Sequence, residues 1–355
     1  MGNSGSMLIG LVLGVLLAGG AAFVFAGDLT PPTGPIAPTF KTIEETPTSR
    51  PIGPLYTPGD AAATFVIRES GRYHLTSDVL GEAGKAGIRI EAGSVSLDLN
   101  GHRVDGRDVG TNGIFCNTPS QRIEIYDGVV RGWGESGIVI VTGDFGQHAP
   151  VDITGVVCQN NGLHGARIFD GGVIRDSDFS GNGGNGLELM FASARDCTAF
   201  ANSWSGFSVV SGRVAGSSAR GNGQAGIGAV SSVIENNHLD TNDRVGLLLG
   251  TECRVDGNHF VFNGYLAEAG ESFGAAIHAF DRESVVVNNS ASGQITFIGE
   301  ASFGTPARLT VLNNSIAGFD LIDFTPESST IGPVVTPDNV ATNTNPHANY
   351  VNDGG

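Results

Sequence analysis

Basic residues are scarce in this chain. Lysine occurs only at Lys41 and Lys85, and 19 Lys and Arg residues stand against 36 Asp and Glu, which gives a formal net charge of −17. Binding to nucleic acid, or adsorption to an anionic membrane surface, needs clustered positive charge. The composition therefore argues against both kinds of partner.

Long helical stretches are also missing. A helical repeat needs an apolar stripe at a spacing of about 3.6 residues, and the 54 glycines and the frequent asparagines interrupt any such stripe. The chain contains a different repeat, in which the glycine before the first apolar residue of each block recurs every 20 residues, at Gly186, Gly206, Gly226 and Gly246. An asparagine closes each block, at Asn202, Asn222, Asn242 and Asn263. A fixed period of this length dictates the architecture.

Each block predicts three short strands. Apolar residues alternate directly after the glycine, as at Leu187 and Leu189, which indicates a strand with one buried face. Two further inward columns follow, one through Ala194, Val214, Ile234 and Val255, and one through Phe179, Ala199, Ala219, Leu239 and Phe260. Equivalent strands stacked in parallel at about 4.8 Å form a solenoid with one block per coil. The predicted fold is all-β, a parallel β-helix of about eleven coils, with corner asparagines hydrogen-bonded along the stack.

This pattern resembles the right-handed parallel β-helix of pectin-lyase-like proteins. The resemblance is carried by strand starts of the form Gly-[Ile/Leu/Phe]-x-[Ile/Leu/Val] and by the turns around Asn182 and Asn236. It implies a right-handed coil over most of the chain. It implies no particular activity, because enzymes, adhesins and inert scaffolds share this fold.

A narrower resemblance comes from three segments, residues 31–44, 65–106 and 343–351. They are similar to those of a group of exported bacterial β-helix proteins that has no assigned activity. The resemblance implies export and the fold, and no chemistry.

The first 26 residues have two interpretations. The run from Met7 to Phe25 is apolar, and Val24 and Ala26 place small residues where a signal peptidase reads them. We favour a signal peptide that is cleaved to leave Gly27 at the mature N-terminus. The alternative is an uncleaved membrane anchor, because no Lys or Arg precedes the run and its length approaches that of a membrane span. In that case the segment is the chain's only membrane contact.

The expected domain order follows from these segments. Residues 1–26 are the signal peptide or anchor, 27–63 a Pro-rich leader, 64–330 the β-helix and 331–355 a C-terminal tail. The stretch from Thr64 to Leu80 is expected to cap the first coil, since a solenoid must cover its open apolar end.

Paired cysteine columns are absent as well. The four cysteines fall at four different positions of the coil, at Cys116, Cys158, Cys197 and Cys253. Bridges between coils need matched columns, so buried free thiols are favoured over disulfides despite the expected export. No Cys-x-x-Cys occurs, and a cysteine metal site is not supported.

Charge on the outer faces is sparse. On the first strand, the outward position between the two buried residues is charged only at Arg89, Arg167 and Glu188, and only the last two lie on adjacent coils. On the second strand Arg175 stacks with Arg195 and Asp176 with Asp196. The candidate surface patch is therefore Arg167, Glu188, Arg175, Asp176, Arg195 and Asp196. Its arginines would suit a uronate carboxylate, or its opposite charges simply neutralise one another on a solvated face.

Histidines give a second, weaker candidate. His238 and His259 occupy one column on consecutive coils, with Asp240 nearby. Such a pair either shares a metal ion, repels when protonated, or belongs to an ordinary solvated turn. His148 and His164 flank a coil with a long loop and have no partner that the register identifies.

Signatures of known β-helix enzymes are missing. The chain has no polygalacturonase-type Gly-His-Gly, no pectate-lyase-type Trp-x-Asp-His and no Asp-Pro-His-Asp of alginate epimerases, and Trp133 and Trp204 are its only tryptophans. We therefore expect an exported surface or matrix protein, a non-catalytic or glycan-contacting scaffold without a cofactor, with polysaccharide as its partner. The alternative is a divergent carbohydrate-active enzyme, a lyase or hydrolase of acidic polysaccharide, for which calcium would be the expected cofactor.

Overall fold

The computed structural model describes residues 49–117, 122–141, 150–169, 171–264, 275–279, 283–293, 296–300, 309–317, 320–322, 330–335 and 345–352. Within these ranges the chain forms strands and no helix. The strands lie on three faces of a coil, called here the first, second and third face in the order in which the chain reaches them after the glycine of each block.

The first face is a sheet of 12 parallel strands, one per coil. They are Ala63–Ile67, Ala86–Ile90, Ile114–Cys116, Ile138–Ile140, Ala166–Ile168, Leu187–Met190, Phe207–Val210, Ala225–Val230, Val245–Leu249, Ala275–Ala279, Thr296–Glu300 and Asp320–Ile322. The strand Ala63–Ile67 lies where the cap was expected, and the other strands follow the coils that the sequence predicts. The expected all-β solenoid is thereby confirmed.

The second and third faces share two long strands, Ile123–Arg131 and Val151–Gln159, which bend from one face onto the other. The other strands of the second face are Arg50–Pro51, Gly71–His74, Val95–Asp98, Gly172–Arg175, Ala192–Arg195, Arg213–Ala215, Val233–Glu235, Arg254–Asp256, Ser284–Val287, Leu309–Leu312 and Thr330–Ile331. The other strands of the third face are Val79–Leu80, Arg103–Asp105, Asp178–Ser180, Thr198–Phe200, Ser218–Arg220, His238–Asp240, His259–Val261, Ser290–Ser292, Ser315–Ala317, Val334–Val335 and Asn349–Asn352.

The predicted register is confirmed. Arg167 pairs with Glu188 across neighbouring first-face strands, and Glu188 pairs with Ser208 on the next coil. Inward columns such as Ala199 and Ala219 are fully buried. The core is therefore a continuous column of apolar side chains inside the coils, and the outward positions of each face are left for other roles.

Asparagine ladders join neighbouring coils at two corners. At the corner before the first face, each Asn Nδ2 donates to the Oδ1 of the Asn one coil further on. This ladder runs through Asn161, Asn182, Asn202, Asn222, Asn242 and Asn263, with N–O distances of 2.7–3.0 Å. A second ladder, between the second and third faces, runs through Asn237, Asn258, Asn289, Asn314 and Asn349. The expected stacking of corner asparagines is confirmed.

The N-terminal end of the coils is covered by residues that precede the expected boundary at Thr64. Arg50 and Pro51 pair with Tyr73 and His74 on the second face. Asp60 binds Arg68 and Arg89 over the end of the first face. The described cap thus includes the end of the Pro-rich segment, and residues 1–48 lie outside the described ranges.

The cysteines are buried free thiols, as the sequence predicts. Cys116 stacks with Ile140 in an inward column of the first face, and Cys158 stacks with Phe179 on the third face. Burial raises the pKa of the Cys197 thiol to about 11, with the nearby carboxylates of Asp176 and Asp196 adding to the effect. These thiols serve as small apolar core residues.

Candidate functional site

Arg167 and Glu188 form an ion pair on the outer surface of the first face. Each lies between two strand residues that point into the core, so both side chains project outward from adjacent coils. Arg167 Nε lies 3.0 Å from Glu188 Oε2. Both atoms are buried and neither makes a well-aligned hydrogen bond. The two residues that the sequence placed together on this face are therefore in contact.

Phe169 fixes the plane of the Arg167 guanidinium. It follows the strand Ala166–Ile168 directly, and the Arg167 Cζ lies 4.5 Å from the centroid of its ring. A guanidinium over an aromatic ring is held by the ring quadrupole. With Nε turned toward Glu188, the two terminal nitrogens make no hydrogen bond to any described residue, and the side chain is 42% exposed.

His164 also lies beside Glu188. Its Nε2 lies 3.6 Å from Glu188 Oε2, beyond hydrogen-bonding distance. The Asn185 backbone N–H donates to His164 Nδ1 at 3.1 Å, while the His164 backbone N–H donates to Ser136 Oγ at 3.3 Å. The imidazole is therefore one step of a polar ladder, in which each side chain accepts an N–H from the next coil.

This ladder fixes the tautomer of His164. Because Nδ1 accepts the Asn185 N–H, the neutral ring carries its proton on Nε2. Burial lowers the pKa of His164, and the positive charge of Arg167 lowers it further against the opposing effect of Glu188. At neutral pH the ring is uncharged and presents an Nε2–H donor beside the Glu188 carboxylate.

Trp204 flanks His164 at the corner of the coil. The two rings meet edge to face with centroids 5.9 Å apart, and Trp204 is 46% exposed. Gly184 lies between them along the stack, and a Cβ there would come within 3.0 Å of His164 Nδ1. The absence of a side chain at Gly184 therefore allows the two rings to meet across two coils. We call Trp204, His164, Glu188, Arg167 and Phe169 the first-face site.

The other four residues of the sequence-derived patch lie elsewhere, at the end of the second face. Arg175 and Arg195 are paired in register and exposed, and Arg175 Nε donates to Thr154 Oγ1 at 3.0 Å. Asp176 and Asp196 have positive φ values of 50° and 52°. This is the left-handed backbone that a corner requires and that Asp tolerates. Among the described residues no ion pair joins these four to Arg167 or Glu188.

The His238 and His259 rings stack on the third face, with centroids 5.3 Å apart and an angle of 22° between the planes. His259 Nδ1 lies 2.6 Å from Ser290 Oγ. Burial and the neighbouring His238 lower the pKa of His259. In the described part of the chain no three His, Cys, Asp or Glu residues are placed to hold a metal ion. His148 lies outside the described ranges.

His164, Phe169 and Trp204 are the members of the site that the sequence interpretation missed. A signal for His164 was present, because the residue before each coil-starting glycine is polar in this region, at Asn112, Ser136, His164, Asn185 and Ser205. The sequence contains no comparable signal for Trp204, because its contact with His164 crosses two coils and depends on the absence of a side chain at Gly184.

Comparison with known proteins identifies the family. The family described as "Right handed beta helix region" matches residues 112–316, more than half of the chain. The chain belongs to this right-handed β-helix family. The match covers the whole first-face site and assigns the hand of the coil that the resemblance implied.

Two solved structures are similar to this β-helix. The A-module of the Azotobacter vinelandii mannuronan C-5 epimerase AlgE4 has a TM-score of 0.58 and 16% identity, covering 80% of this chain and 90% of its own. The AlgE6 A-module from the same organism has a TM-score of 0.61 and 17% identity, covering 75% and 81%. No curated protein matches the sequence. At these identities the likeness shows the fold.

Proposed function

We propose that the protein is a polysaccharide-binding β-helix whose ligand lies on the first-face site. The observation that carries the proposal is the arrangement of Trp204 and Phe169 on either side of His164, Glu188 and Arg167. Binding sites combine aromatic or apolar surface with a few convergent polar groups. A sugar ring offers an apolar face to an aromatic side chain and hydroxyl groups to the polar side chains.

The polar groups of the site suit hydroxyl recognition. His164 Nε2–H and the terminal nitrogens of Arg167 are donors, and the Glu188 carboxylate is an acceptor. No described residue accepts a hydrogen bond from the terminal nitrogens of Arg167. The names of both similar structures, mannuronan C-5 epimerases, fit polysaccharide as the class of ligand.

Binding without catalysis is the better-supported form of this proposal. Hydrolysis of a glycosidic bond commonly uses two carboxyl groups that flank it. Among the described residues Glu188 is the one carboxylate in contact with His164 or Arg167. Its charge is balanced by Arg167 in the absence of ligand. We therefore propose an exported surface or matrix protein that contacts glycan.

A glycan array followed by isothermal titration tests the binding proposal. Trp204→Ala is expected to weaken binding of any polysaccharide found by about tenfold or more. The comparable stacking of a nucleic-acid base on an aromatic side chain contributes about 1–3 kcal/mol. Phe262→Ala is the matched control, because Phe262 is also exposed, at 55%, but directly follows the third-face strand His259–Val261 of another coil. Equal binding by wild type and Trp204→Ala would contradict the proposed site.

The enzymatic alternative is tested on the same material. Wild-type protein is incubated with acidic polysaccharides and calcium, and absorbance of the unsaturated product reports lyase activity. Release of reducing ends reports hydrolysis. We expect neither signal. Cleavage that is lost in the folded double variant Arg167→Ala/Arg195→Ala would replace the scaffold interpretation with the enzyme alternative.

A further inference from the structure

Arg167 combines an Nε contact to a carboxylate with a contact between its guanidinium and an aromatic ring. Arg131 gives Nη2 to Asp105 at 2.7 Å, and Arg254 gives Nη2 to Asp256 at 2.6 Å. Arg89 likewise binds two carboxylates through Nη2. Arg103, Arg220 and Arg167 instead direct Nε to a carboxylate, and of these three only Arg167 also lies over an aromatic ring of a described residue. Its two terminal nitrogens make no hydrogen bond to a described residue.

The free end of Arg167 is held in place. Phe169 fixes the plane of the guanidinium and Glu188 holds its Nε side. A planar fork of N–H donors with a fixed orientation matches the two oxygens of a carboxylate, and such charge-assisted pairs are stronger than neutral hydrogen bonds. Little side-chain freedom remains to be lost when an anion binds.

We propose, building on the proposed function, that the polysaccharide bound at the first-face site carries carboxylates, and that Arg167 binds one of them through its two terminal nitrogens. The ligand is therefore a uronate-containing polymer, with the carboxylate over Arg167 and a neighbouring sugar ring against Trp204. The negative charge of Glu188 disfavours a ligand with a high density of negative charge.

Glu188 favours a polymer of moderate charge over a densely charged one. Its carboxylate lies next to the proposed position of the ligand carboxylate, and like charges at such distances repel. Glu188 can also accept a hydrogen bond from a sugar hydroxyl group. The site therefore takes one carboxylate beside hydroxyl groups, which is the composition of a uronate residue, and it disfavours a heavily sulfated chain.

The test uses oligogalacturonate, the same oligomer after chemical reduction of its carboxyl groups, and dextran sulfate, each titrated into the full-length protein. Wild type is expected to bind oligogalacturonate at least tenfold more tightly than the other two ligands. Arg167→Ala is expected to lose about 10–100-fold in affinity for oligogalacturonate, the range for a charge-assisted bidentate contact. Arg167→Lys keeps the charge without the fork and is expected to recover only part of the loss.

Arg254→Ala is the matched control, because Arg254 is exposed and paired on the second face. Its affinity should equal that of wild type. Equal binding of the native and reduced oligomers would overturn the carboxylate inference and leave the proposed function intact. Tighter binding of dextran sulfate than of oligogalacturonate, or full recovery of affinity by Arg167→Lys, would contradict bidentate binding of the carboxylate by the two terminal nitrogens of Arg167. Binding of no polysaccharide at all would contradict both proposals. Circular dichroism of each variant confirms that it is folded.

Discussion

Asn222 illustrates how single side chains join the coils. Its Oδ1 accepts from both the backbone N–H and the Nδ2 of Asn202, and its own Nδ2 donates to Asn242 Oδ1 and to the carbonyl of Ala199. All of these atoms are buried, so none can turn to water if a partner is removed. The ladder stabilises the stack because each buried polar group finds its partner on the neighbouring coil.

Replacing Asn222 with Ala should therefore destabilise the protein more than the loss of one hydrogen bond. The change removes the acceptor of the Asn202 backbone N–H and one of the two acceptors of Asn202 Nδ2, which still donates to the Phe179 carbonyl. It also removes the amide donor to the Ala199 carbonyl. A buried group left unsatisfied costs about 1–3 kcal/mol. We expect a lower urea midpoint of unfolding. Gln224→Ala, an exposed amide at the same corner, is the control and should leave the midpoint unchanged. A midpoint for Asn222→Ala equal to that of the control would contradict the ladder's role.

His164 makes stability depend on pH. Its pKa in the folded protein is lowered from the ordinary value of about 6.5, so the unfolded chain takes up its proton first as the pH falls. The stability that the neutral ring contributes is complete above about pH 6.5 and is lost as the pH falls from there toward the folded pKa. His164→Asn keeps an acceptor for the Asn185 N–H and does not titrate.

We expect a smaller fall in the urea midpoint of His164→Asn than of wild type between pH 7.5 and pH 5. The pKa of His164 itself can be read from an NMR titration of its ring protons. A pKa at or above about 6.5 would contradict the account of its environment.

Sequence reasoning reached some residues of the site and missed others for a physical reason. Arg167 and Glu188 were found because their separation is one repeat, so the register alone places them side by side. The contacts of His164 and Trp204 depend on side-chain direction and on free space at a glycine, which no spacing rule contains. Asp176 and Asp196 were in register as expected, but the corner geometry that accounts for them is visible only in the backbone.

At the scale of the strand, the inward columns determine the fold. Leu189 is 1% exposed and stacks between Ile168 and Val209 on the first face. The period-two pattern predicted this burial correctly, because a strand that alternates sides can bury only every second residue. Loops at the corners vary in length between coils, so their structure could not be derived from the repeat.

Leu189→Ala should cost about 2–5 kcal/mol in the free energy of unfolding, as truncations in packed cores do. The loss should fall mainly on its own coil and the two adjacent coils, since each coil of a solenoid contacts only its neighbours. We therefore expect unfolding in more than one step, followed by circular dichroism and by hydrogen exchange of individual coils. Leu163→Ala, at an exposed corner position, is the control. A single transition with unchanged midpoint would contradict this prediction.

At the scale of the whole molecule, the repeat and its glycine spacing were sufficient to predict the solenoid, and the family match supports its hand. Among the described residues no helix is long and apolar enough to cross a membrane, and the Met7–Phe25 run lies outside them. Export therefore stays a prediction from the sequence. Its expected outcome is a mature N-terminus at Gly27 in secreted material, measured by intact-mass spectrometry. An intact segment 1–26 would favour the membrane anchor.

The two tryptophans give the most direct measurement of the central claim, that polysaccharide binds the first-face site. Trp204 is 46% exposed inside the site, whereas Trp133 is 1% exposed in the core and serves as an internal reference. Acrylamide quenching of tryptophan fluorescence is measured while oligogalacturonate is added, with wild type and Trp204→Phe compared. We predict that the ligand protects the accessible tryptophan of wild type from quenching and leaves Trp204→Phe unaffected. Binding detected by calorimetry without any change in quenching of wild type would contradict the account.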